Sequence, residues 1–130
     1  MEAAQRYLEA KERYPVDSDQ WAMAIASAFD LLRQKECAEV AKPEWWNDEG
    51  LKALSARAVR AAPNEVGANA MRALVLHGQS SAWEVGPRSA AELKEAAAHF
   101  ERAAALCPAP AGKAELTRLA DWCHSCIAAM

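Results

Sequence analysis

Apolar residues recur along this chain at spacings of three and four, in six stretches separated by breaks rich in Pro, Gly, Asn and Ser. That period places them on one face of a helix. Residues 2–14 carry Ala3, Tyr7, Ala10 and Tyr14 on or near one face, and Pro15 closes the stretch. Asp17 or Ser18 can cap a second helix, with Asp19 favourable in its first turn and Trp21, Ala24, Ile25, Ala28 and Leu32 as its stripe. No breaker follows before Pro43, so this helix is expected to run to about residue 41.

The segment KPEWWND (42–48) is a short break, and Asn47 is the favoured cap of the third helix. Leu51, Leu54, Ala58 and Ala62 form the third stripe, which Pro63 ends. Asn64 can cap the fourth helix, with Gly67, Ala70, Met71 and Leu74 on its stripe and an end near Gly78. Residues 78–88, GQSSAWEVGPR, show no helical period and read as a loop. Ser89 and Glu92 then stand at capping-box spacing, followed by Leu93, Ala97, Phe100, Ala104 and Cys107, and Pro108 stops the fifth helix. A sixth runs from about residue 113 to the end, with Leu116, Leu119, Ala120, Cys123, Ile127 and Met130 aligned.

Composition agrees with an all-α chain. Roughly a quarter of the residues are Ala, the strongest helix former, and no run alternates as a strand would. The net charge of −3 is mild, and both signs are mixed along the sequence. Nucleic acid and an anionic membrane surface both call for a basic stripe, so neither is expected as a partner. No stretch approaches the roughly 20 apolar residues of a membrane span. MEAAQRYLEA lacks the basic-then-apolar order of a signal peptide. A cytoplasmic location with reduced thiols follows as the expectation.

Within the fifth helix, Ala96, Phe100, Ala103 and Pro108 set a small residue, an aromatic, a second small residue and a terminating proline. Ala3, Tyr7, Ala10 and Pro15 repeat that spacing, and Leu51, Ser55, Ala58 and Pro63 match it in part, with Ser55 where an aromatic is expected. Trp21, with Ala24, Ile25 and Ala28, follows the first of these stretches. The pattern resembles the tetratricopeptide repeat (TPR), in which small residues let two helices approach and an aromatic fills the space between hairpins. The resemblance is strong at residues 1–32 and 90–108 and degenerate between them. Its period departs from the usual value of about 34 residues: Pro15 and Pro63 are 48 apart, Pro63 and Pro108 are 45 apart. The resemblance therefore implies a right-handed array of about six antiparallel helices stacked as hairpins, two of them enlarged. It would form one domain over residues 1–130, whole or as a piece of a longer array.

In TPR-like arrays the first helix of each hairpin lines a concave ligand groove. Carried over, this places Ala22, Ala26, Phe29 and Asp30 in the groove with Ala68, Arg72 and Val75 from the fourth helix. The implied partner is a protein or peptide, and the small apolar lining suits an apolar or helical segment. Only Arg72 could serve in the carboxylate grip that some TPR domains place on chaperone tails, which disfavours that ligand. The alternative is that another part of the chain, such as the sixth helix, fills the groove. A second functional reading is a scaffold subunit that forms a homodimer or caps a complex through its first helix, where Tyr7 and Leu8 stand ready.

Candidate chemistry changes this picture little. Trp122-Cys123-His124-Ser125-Cys126 contains a C-x-x-C, but inside a helical period rather than after a strand. Cys123 falls on the core stripe and reads as a small buried hydrophobe. Metal or thiol chemistry there, with His124, His99, Cys107 or Cys37 as further ligands, is the lesser reading. His77, His99 and His124 lie on different helices, and no nucleophile has a base at a fixed spacing. The expectation is a non-enzymatic module with neither cofactor nor metal. Trp45 and Trp46 cannot both face one side, and Trp83 is either the plug that pins its loop or a contact residue. The candidate partner-binding residues are thus Phe29, Asp30, Arg72, Val75 and Trp83.

Overall fold

A computed structural model describes residues 2–34, 37 and 41–130; of residues 2–4 it describes the backbone only. Among the described residues there are six helices and no strands. They are α1 (Glu2–Arg13), α2 (Asp19–Leu32), α3 (Asp48–Ala61), α4 (Val66–His77), α5 (Ala90–Leu106) and α6 (Pro110–Ala128). The chain is all-α, with each helix packed on the next and α2 also packed on α4.

Local chemistry sets most boundaries. Ser18 Oγ accepts the Trp21 N–H at 3.2 Å, and Asn47 Oδ1 accepts the Gly50 N–H at 2.7 Å. Ser89 and Glu92 complete the capping box, with bonds of 3.1 and 3.0 Å. Three boundaries differ from the sequence expectation. Glu65, not Asn64, caps α4 by accepting the Gly67 N–H, because Asn64 Oδ1 is held by Arg102 of α5. Pro110 opens α6 at the position where its missing N–H costs nothing, ahead of residue 113. α2 ends at Leu32 with Arg33 as its C-cap, short of residue 41; residues 35, 36 and 38–40 lie outside the described residues.

Two apolar cores share α4. Trp21, Ile25, Phe29, Leu51, Met71 and Val75 belong to the first, between α2, α3 and α4. Ala73, Leu76, Ala96, Phe100, Ala120 and Cys123 belong to the second, between α4, α5 and α6. Phe100 is fully buried between Ala96 and Ala103, themselves fully buried, so the small residues allow close helix approach and the ring fills the gap. Tyr7, its counterpart in α1, is 41% exposed. At the third such position Ser55 is buried, and the guanidinium of Arg72 takes the space an aromatic would fill. Arg72 Nη1 donates to Ser55 Oγ at 3.2 Å and to the Lys52 carbonyl at 2.8 Å, while Nε donates to Glu95 of α5.

The two inserted segments pack on each other. Trp46 Nε1 donates to the Ala82 carbonyl at 3.0 Å, and the Trp46 and Trp83 rings meet edge to face with centroids 6.0 Å apart. Both rings rest on Phe29, at 5.6 and 5.9 Å. Trp83 Nε1 donates to Asp48 Oδ1 at 3.0 Å. Arg88, whose side chain is 6% exposed, completes the joint. It forks onto both Asp48 oxygens and donates to the carbonyls of Val75, Leu76 and Gly86. All five of its N–H donors are thereby used, two of them on carbonyls at the C-terminal end of α4 that have no helical partner. Gly78 ends α4 with φ of 73°. A Cβ there would meet Arg88 Cγ at 2.9 Å, so both conformation and space require glycine.

Candidate functional site: the groove of α2, α4 and α6

A surface groove runs between α2 and α4 and on to α6. One part, about 400 Å³, is walled by Tyr7, Ala26, Ser27, Phe29, Asp30, Gly67, Ala70 and Leu74. The next, about 380 Å³, shares Phe29, Asp30, Ala70 and Leu74 with it and adds His77, Gln79, Ser80, Trp83, Glu115, Leu116 and Leu119. The shared walls make the two parts one trough. Ala26, Gly67 and Ala70 are small, so a ligand backbone can approach the α2–α4 seam closely. The rim is polar: Arg33 Nη2 pairs with Asp30 Oδ1 at 2.9 Å, both exposed.

The sequence candidates divide across this groove. Phe29 and Trp83 form its wall, although both are largely buried, and Asp30 stands exposed on its rim. Arg72 and Val75 do not line it. Arg72 points between α3 and α5, and Val75 is fully buried in the first core. The face of α4 that meets the groove carries Gly67, Ala70, Leu74 and His77, displaced one residue, or about 100°, from the expected face. The face is shifted because Ala68 and Val75, expected in the groove, join Met71 of the expected core stripe inside the first core. The small-residue stripe remains partly open. As for the tryptophans, Trp83 is 8% exposed and acts as the plug that pins its loop. Trp46 anchors its insert, and Trp45 stays half-buried beside it, with rings 5.9 Å apart.

His77 was not singled out for the groove by sequence, and its place at the end of the α4 stripe is the signal that marks it. The residue is buried, at 6% exposure, and its ring meets Phe100 and Trp122 edge to face, at 5.5 and 5.7 Å. Nδ1 lies 2.8 Å from the Leu74 carbonyl, which can only accept, so Nδ1 carries the hydrogen. Burial lowers its pKa; the bond to Leu74 opposes this, and the charges of Arg33 and Arg88 reinforce it.

A second polar seam joins α5 to the α3–α4 turn. Asn69 Nδ2 donates to the carbonyls of Pro63 and Glu65 at 3.0 and 2.9 Å, leaving Oδ1 to accept from His99 Nδ1 at 2.9 Å. His99 Nε2 lies 3.3 Å from Glu95. Burial lowers the His99 pKa, against the pull of Glu95. Asn69 is buried at this seam, while Glu95 stays exposed at its edge.

The C-x-x-C is divided by the helix. Cys123 is fully buried in the second core, and burial, then Cys126, pushes its thiol up to about 11. A thiol so placed is protonated at neutral pH and a poor nucleophile. All four cysteines are free, and no group of three or more metal-ligating side chains gathers among the described residues. No helix of the described residues is long and apolar enough to cross a membrane. No family model, curated protein or solved structure matches this chain.

Proposed function

We propose that this chain is a TPR-like, non-enzymatic interaction module that binds a helical segment of a partner protein in the groove of α2, α4 and α6. The observation that carries this reading is the continuous trough along the small-residue stripe Ala26, Gly67 and Ala70, with apolar walls and a charged rim. An amphipathic helix meets such a surface with apolar residues three and four apart. The outward side of α6, with Lys113, Thr117, Arg118 and Asp121 exposed, offers no comparable apolar surface.

Panning a phage-displayed library of amphipathic helices against the chain tests the reading, with Ala70→Glu as counter-selection. Ala70 is only partly buried, so the charge enters the groove without entering a core. Enriched helices should bind Ala70→Glu at least about tenfold more weakly, since one unpaired buried charge costs more than 1.4 kcal/mol. Helices that bind both forms equally would refute the groove.

A second reading is self-association through the α1 end, where Tyr7, Tyr14 and Val16 are 41%, 41% and 58% exposed. Sedimentation equilibrium decides it. A dimer that Tyr14→Glu dissociates supports it, and a monomer at high concentration removes it.

A further inference from the structure

Among the described residues His77 Nε2 has no protein partner, yet no fully buried side-chain nitrogen or oxygen lacks one. Nε2 is therefore not fully buried, and His77 lines the groove beside Leu74, Trp83, Leu116 and Leu119. Because Nδ1 holds the hydrogen, Nε2 of the neutral ring is an acceptor. Phe29, Leu74, Trp83, Leu116 and Leu119 supply an apolar and aromatic wall, Gln79, Ser80 and Glu115 a polar one, and the space of about 380 Å³ is far larger than a single water requires. Resting on the groove reading above, we infer that this end of the groove takes an aromatic side chain with a hydroxyl donor, a tyrosine of the partner helix, whose O–H donates to His77 Nε2.

The chemistry favours that residue over its neighbours in size. A phenol presents a flat apolar body to Phe29, Leu74 and Trp83 and a polar tip to a half-wet acceptor. A phenylalanine would cover Nε2 and leave it unpaired, and such a loss is what lets a polar pocket reject the analogue that lacks the hydroxyl. Lysine and arginine tips would bring a third cation toward Arg33 and Arg88, whose charges already act on the His77 ring, with Asp30 and Glu115 the only carboxylates in the lining.

The test uses two matched pairs of probes on the full chain: p-cresol against toluene, and one amphipathic helical peptide with a central tyrosine against the same peptide with phenylalanine. Binding is followed by amide NMR shifts at Ala70, Leu74, Leu116 and Leu119 and by the 15N shift of His77 Nε2. The expected result is tighter binding of each hydroxyl probe by about fivefold, the worth of one neutral hydrogen bond. An upfield shift of Nε2 should accompany it, and His77→Phe, which keeps the aromatic contacts, should abolish the preference. Equal binding within both pairs, a preference that survives in His77→Phe, or an unmoved Nε2 would overturn the inference; the Nε2 signal judges it even if the variant does not fold. Toluene and the phenylalanine peptide binding as well as their partners would leave the groove standing and remove only the tyrosine. A preference for p-cresol without one for the tyrosine peptide would assign the site to free phenols and overturn the partner side chain.

Discussion

Arg88 and Asp48 stand 40 residues apart in sequence and form a two-pronged ion pair, Nη1 to Oδ2 at 2.9 Å and Nη2 to Oδ1 at 2.6 Å. The planar fork of arginine matches a carboxylate in this way and lysine cannot. Through it the start of α3, the end of α4 and the loop between α4 and α5 are held at one point. That loop in turn carries Trp83, which forms the wall of the groove. The ion pair thus links the two inserted segments to the proposed binding surface.

Arg88→Met should destabilise the fold by about 3 kcal/mol, since removing one partner of a buried pair leaves the other uncompensated. Urea unfolding measures the loss, and a red shift in tryptophan emission should report Trp83 coming free. Arg88→Lys should recover less than half. A loss below about 1 kcal/mol would place the pair with ordinary surface bridges.

Acid should weaken the fold through Asp48. Arg88 holds its carboxyl well below the usual carboxylate range, with Trp83 and Gly86 assisting and partial burial opposing. Glu92 is lowered too, first by Lys52 and then by the Ser89 N–H. Above the unfolded pKa of about 4 both states are ionised and the stabilisation is complete. As pH falls below that, the unfolded state binds protons that the folded state refuses, and stability drops toward the folded pKa. His77 and His99, also lowered, begin the same decline from about pH 6.5. Urea midpoints at pH 7, 5 and 3 should fall at each step, and Asp48→Asn should lose less between pH 5 and 3 than the native chain.

Gly50→Ala should destabilise, against the usual gain of nearly 1 kcal/mol for this change within a helix. A Cβ at Gly50 would lie 2.4 Å from the Trp45 carbonyl oxygen, a backbone atom tied to the Trp45–Trp46 insert. A raised melting temperature would show that the insert can yield there.

Thiol labelling at pH 7 should divide the cysteines. Cys107 and Cys126 are partly exposed and should react with a disulfide reagent in the folded chain, whereas Cys37 and Cys123 are buried and should wait for denaturant. Rapid labelling of Cys123 would restore the case for thiol chemistry.

Helix order and most caps were legible in the sequence because they rest on local chemistry: Ser18 and Asn47 as caps, the Ser89–Glu92 box, the prolines. The partial match at Ser55 marked a real difference, but its resolution by Arg72 depends on a contact between residues 17 apart. The face of α4 was not legible for the same kind of reason. Gly67-Ala70-Leu74 and Ala68-Arg72-Val75 both repeat at helical spacing, and which is covered depends on how α2, α3 and the loop carrying Trp83 pack on α4. The joint of Arg88, Asp48 and Trp83 joins segments far apart in the chain, and no periodicity encodes it. His77 lay in plain view on the α4 stripe, yet its free nitrogen depends on where Leu74, Phe100 and Trp122 close around it.

The most direct test of the central claim is photocrosslinking in the cell of origin, with a benzophenone amino acid placed in turn at Asp30 on the groove rim and at Lys113 on the outer side of α6. Position 30 should give a discrete protein adduct that disappears when Ala70→Glu is added, and position 113 should give none. Adducts of equal yield from both positions, or an adduct at position 30 that Ala70→Glu leaves unchanged, would contradict that claim.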